Sequence, residues 1–137
     1  MSLETGKDTP QIFALWEPID NLPRPMYVEA IHDDYEGFRV LLTSKESGSG
    51  MLRIRFEGKL SYRNTDESFL LKIWNSMEKN LLGGIFYTVE NSSYIDFFNE
   101  MTQNIYTDWD LKHYAIYTVS DCIDVIATGV PIVEWLD

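Results

Sequence analysis

The stretch MLRIRFEGKLSYRNTDESFLLKIWNSM, residues 51–77, changes its hydrophobic period partway along, and that change decides the fold class. Leu52, Ile54 and Phe56 alternate with Arg53, Arg55 and Glu57, the two-residue repeat of a strand with one buried and one wet face. Leu60 and Tyr62 alternate in the same way with Ser61 and Arg63. A two-residue turn at Gly58-Lys59 mixes the two faces, whereas a three-residue loop pairs Phe56 with Tyr62 and keeps them consistent, so a hairpin with the longer loop is expected. At Asn64 the period becomes helical. Asn64 with Glu67 three residues on resembles a capping pair, and Phe69, Leu70, Ile73, Trp74 and Met77 follow at helical spacing until Gly83-Gly84. A helix over 64–82 is expected, with its aromatic face on the sheet.

Outward from this stretch, the N-terminal side reads as strands at 26–32 and 38–44, preceded by an extended segment over 1–25 punctuated by Pro10, Pro18, Pro23 and Pro25. That segment, with a short strand at 12–16, is expected to pack on the same domain. On the C-terminal side a strand at 85–89 leads to Asn91-Ser92-Ser93, cap residues for a helix over 92–104 with Tyr94, Phe97, Phe98 and Met101 on one face. A hairpin of 113–119 and 122–127 turns around Ser120-Asp121, and Gly129-Val130-Pro131 redirects the chain into a strand at 132–136. The expectation is α+β: a mostly antiparallel sheet with a strand meander, two helices on one face and C-terminal strands. The pattern leaves strand order open.

A length of 137 residues fits one domain spanning 1–137, and 45% hydrophobic with 14% aromatic residues suffices for a core without disulfide or metal. The only low-complexity stretch, Ser47-Gly48-Ser49-Gly50, is too short to separate domains. A single cysteine, Cys122, forms no internal bridge, so a reducing cytoplasm is the simplest setting. The opening residues lack the layout of an export signal, and no apolar run is long enough to span a bilayer. Twenty-two acidic against 11 basic residues give a net charge of −11, which disfavours nucleic acid and anionic membranes as partners and favours a basic protein.

Few residues point to chemistry. His32-Asp33-Asp34 has metal-ligating types but also the composition of a polar turn, and the turn is preferred. Asp108-Trp109-Asp110 lacks the alternating ligands and glycine of a calcium loop. Cys122 sits among acids that raise a thiol's pKa, so it reads as a small strand residue. Asp124, between Ile123 and Val125, either faces water or is buried with a partner, and the wet face is preferred. There is no phosphate-cradling glycine loop, nucleophile elbow or paired-histidine motif, so no cofactor, metal or catalytic set is expected.

Charge is unevenly placed. Arg39, Lys45, Arg53, Arg55, Lys59 and Arg63 lie in the central meander, whereas from Glu90 to Asp137 nine acids face one lysine, Lys112. Trp109, flanked by Asp108 and Asp110, has the make-up of an aromatic anchor in an acidic rim, and these three residues are the expected partner-binding site. The runs Tyr62-Arg63-Asn64-Thr65-Asp66-Glu67-Ser68 and Tyr87-Thr88-Val89-Glu90-Asn91-Ser92, with His113-Tyr114-Ala115-Ile116-Tyr117 and Val133-Glu134-Trp135-Leu136, resemble a group of short bacterial proteins without an assigned activity. In size, acidity and α+β make-up the chain is also similar to bacterial toxin-immunity proteins. The leading expectation is a non-catalytic acidic protein-binding module, an immunity-type inhibitor of a basic toxin being one form. A small hydrolase or metal-dependent enzyme using Asp108, Asp110 and His113, and a structural homodimer, are the alternatives.

Overall fold

The computed structural model describes residues 10–44, 50–66, 68 and 70–136. Among these, nine strands form two antiparallel sheets: β1 (Ile12–Leu15), β2 (Met26–Asp34), β3 (Gly37–Ser44), β4 (Met51–Phe56), β5 (Lys59–Asp66), β6 (Phe86–Glu90), β7 (Lys112–Tyr117), β8 (Asp121–Ala127) and β9 (Ile132–Leu136). One sheet has the order β1-β6-β7-β8-β5 and the other β2-β3-β4-β9. The helical elements among the described residues are α1 (Leu70–Ser76), a 3-10 turn at Lys79–Leu81, and α2 (Ser93–Met101). The molecule is thus a sheet-rich fold with some helix, not one sheet carrying two long helices.

The expected hairpin at Gly58 does not form. β4 pairs with β3 and β9, while β5 pairs with β8 in the other sheet, so Phe56 stands opposite Phe38 and Tyr62 opposite Val125. β4–β5 and β8–β9 form one two-stranded ribbon that turns a corner from sheet to sheet. The corner is at Gly58 (φ +71°), whose carbonyl accepts a hydrogen bond from Thr128 N at 3.2 Å. A side chain there needs a left-handed backbone, and its Cβ falls 2.2 Å from Thr128 Oγ1. Gly58→Ala is expected to cost about 1–2 kcal/mol, read as a lower urea midpoint at unchanged slope; an unchanged midpoint contradicts this account of the corner.

The alternating strands bury one face each between the sheets. Phe38, Val40, Leu42, Leu52, Ile54 and Phe56 meet Phe86, Tyr114, Ile116, Ile123, Val125 and Ala127, and Trp16, Ile19 and Leu22 of the proline-rich segment pack on the same core. The opposite face of the five-stranded sheet is also covered: Phe13, Tyr87, Val89, Ala115, Tyr117 and Cys122 form a second core with Leu70 and Met77. Cys122 is a fully buried strand residue.

The helix expected over 64–82 is shorter because β5 runs through Asn64 and Thr65 to Asp66, paired with Ile123, Cys122 and Asp121. Asn64 donates to Asp121 across the strands at 2.8 Å instead of starting a helix, and Asp66 accepts from Ser68 N at 3.0 Å. Glu67, Phe69 and residues 45–49 lie outside the described residues. Of the expected apolar stripe, Leu70 and Met77 are buried, whereas Trp74 is exposed. α2 likewise ends before 104, where Gln103 and Asn104 take positive φ.

Candidate functional site

Two regions stand out, one on the surface and one beneath α2. On the surface, Trp109 is 52% exposed, and so are Phe97 (58%), Met101 (66%) and Ile105 (69%). Phe97 and Met101 are one helical turn apart and share a side of α2. Trp109 is held edge-on against Tyr106 (4.9 Å between ring centroids), which packs on Phe98 of α2 at 5.4 Å. Trp109 is therefore linked to the helix through Tyr106 and stays half exposed. Asp108 is exposed beside it, and Asp110 pairs with Lys112 at 3.0 Å, so part of the Asp110 charge is offset.

The meander's basic side is largely neutralised. Arg39 pairs with Asp34 at 2.8 Å, Lys59 with Asp33 at 2.9 Å, Arg53 with Glu134, and Arg55 with Glu57 at 3.8 Å. The side-chain hydrogen bond from Arg39, then the backbone hydrogen bond of Glu36, lowers the Asp34 pKa, and the Arg53 hydrogen bond does the same for Glu134. Asp33 and Asp34 are thus engaged by cations, and among the described residues no group of three His, Cys, Asp or Glu is placed to hold a metal ion.

Beneath α2 the five-stranded sheet carries a polar chain that the sequence pattern does not announce. Asp124 of β8 is fully buried, contrary to the wet-face expectation. It stands opposite Arg63 of β5 and Ala115 of β7, which puts it on the same face as His113 and Tyr117. Its Oδ1 lies 2.7 Å from His113 Nε2 and accepts from Tyr117 OH at 3.0 Å, and its Oδ2 accepts from Arg63 Nε at 3.1 Å. Arg63 also lies over the Tyr94 ring at 4.2 Å, while Tyr94 OH meets Ser61 Oγ at 2.6 Å. Burial opposes the Asp124 charge, but the His113 hydrogen bond and the charges of His113 and Arg63 outweigh it and hold the carboxyl below its usual range. Burial, then the Asp124 charge, pushes Tyr117 upward, so its hydroxyl stays a donor.

The other ring nitrogen of His113, Nδ1, is 2.7 Å from Ser92 Oγ. Ser92 caps α2, its Oγ accepting from Ile95 N at 3.0 Å, as its sequence position implies. In the tautomer that donates Nε2–H to the Asp124 carboxylate, His113 has a bare Nδ1 that can accept from the Ser92 hydroxyl. Ser92 and His113 form part of the wall of a cavity of about 560 Å³, together with Glu90, Asp96, Asp110 and Lys112. His113 and Asp110 therefore share a cavity wall, but the buried hydrogen-bond partners of His113 are Asp124 and Ser92, not Asp108 and Asp110, with which the enzyme alternative groups it.

Comparison of the chain with protein-family models, curated proteins and solved structures gives no match. Among the described residues no helix is long and apolar enough to cross a membrane.

Proposed function

We propose that the chain is an acidic protein-binding module whose partner is a basic protein seated on α2 and the segment that follows it. The observation that carries this reading is the exposed apolar set Phe97, Met101, Ile105 and Trp109 in the part of the chain where nine acids face one lysine. Large exposed apolar side chains on one acidic stretch of chain can supply both parts of a polar-rimmed interface, affinity from the desolvated aromatic and steering from the charges. Inhibition of a basic protein toxin, as immunity proteins perform it, is the form of this function that the size and charge favour. The resemblance to short bacterial proteins supports the same setting.

The test uses the immobilised chain and a lysate of cells that carry its gene, with a parallel column of Trp109→Ala. The expected result is a partner of net positive charge, retained by the wild type, lost from the variant and released by salt. An acidic partner, or one held equally by both columns, contradicts the reading.

A further inference from the structure

We propose that Ser92 is a reactive nucleophile, activated by His113, which takes small neutral acyl groups in the cavity at the start of α2. This goes beyond partner binding, and its reacting residues, Ser92 and His113, are not those of the binding surface, although Asp110 borders both. A serine that only caps a helix needs an acceptor oxygen, which the 3.0 Å bond from Ile95 N already uses. Here the oxygen has a second partner that can take its proton, His113 Nδ1 at 2.7 Å, on a ring whose far nitrogen lies 2.7 Å from the buried Asp124 carboxylate. Nucleophile, base and carboxylate in hydrogen-bond sequence are the arrangement that activates a serine.

Two further features fit. Ser92 follows Asn91 (φ +55°) in a sharp turn from β6 into α2, so its oxygen sits at a helix N-terminus, where the Ile95 N–H and the helix dipole stabilise developing negative charge. The cavity at its side, about 560 Å³, is in the size range of small-molecule sites. Its wall carries Glu90, Asp96 and Asp110 against Lys112, which disfavours anionic substrates.

In the proposed step the Ser92 Oγ–H bond breaks, its proton passes to His113 Nδ1, and Oγ bonds to the acyl carbon. The leaving group departs with that proton, and water, deprotonated by His113, then releases the acid and restores Ser92.

The test is a neutral alkyl fluorophosphonate. Its P–F bond breaks as Oγ–P forms, and the serine proton leaves with fluoride. Intact mass is expected to show one adduct per chain, mapped by peptide mass to Ser92 and not to Ser93. Ser92→Asn keeps a capping oxygen and is expected to fold, by circular dichroism, without labelling, whereas Ser93→Ala labels like the wild type. Trp109→Ala, which is not among the residues lining the cavity, is also expected to label normally, so failure here and failure of partner binding are separately visible. Unlabelled wild type, an adduct mapped elsewhere, or labelling retained in Ser92→Asn overturns the proposal. Should Ser92→Asn not fold, the mapped adduct on the wild-type chain decides alone.

Discussion

Asp124→Ala is expected to lower the unfolding free energy by about 3–5 kcal/mol, the range for removing one partner of a buried ion pair. The substitution leaves His113 and Tyr117, both buried, without the acceptor they share, and removes the Asp124 contact from Arg63. Arg63 is 39% exposed and regains water, so the penalty falls mainly on the other two. Urea unfolding measures it, and a fall in melting temperature of roughly 10–20 °C accompanies it. A change within about 0.5 kcal/mol, the usual size at exposed positions, contradicts the buried network.

The same network sets an acid limit. The Asp124 pKa is depressed in the fold, so the unfolded chain binds that proton more readily. Its contribution is fully present above the unfolded value of about 4 and is lost as pH falls through the lower folded value. Stability measured downward from about pH 4 should decline more steeply in the wild type than in Asp124→Asn. Parallel declines contradict the assignment.

Trp109→Ala is expected to weaken partner binding at least about 30-fold, roughly 2 kcal/mol, through faster dissociation. Because Trp109 is half exposed, the unfolding midpoint should stay nearly unchanged. Asp108→Asn with Asp110→Asn should instead slow association and flatten its salt dependence, with Asp108 contributing more because Lys112 offsets Asp110. Binding indifferent to both variants, or to salt, removes the site from this face.

Individual strands were legible because alternation such as Leu52-Arg53-Ile54-Arg55-Phe56 is imposed by a single buried face. The division into two sheets was not. Alternating strands joined through Gly58-Lys59 look alike whether the chain folds back on itself or turns a corner, and the choice rests on contact with Thr128, 70 residues away. Trp74 has helical spacing relative to Leu70 and Met77, yet spacing does not reveal how wide a stripe a short helix covers. Asp124 did leave a signal. Cys122-Ile123-Asp124-Val125-Ile126-Ala127 is apolar at both parities, the mark of a strand buried on both faces, and an acid in such a run needs partners. Those partners, on β5 and β7, come from pairings that no local pattern encodes. Ser92 was legible as a cap, but its bond to His113 was not, for the same reason.

Hydrogen exchange of the chain alone and in complex with its captured partner tests the binding surface most directly. The account predicts slowed exchange at 93–111, across α2 and the segment bearing Trp109, with the outer face of the β2-β3-β4-β9 sheet unchanged. Protection confined to the strands that carry Arg39, Arg53 and Arg55, with 93–111 exchanging as in the free chain, contradicts it.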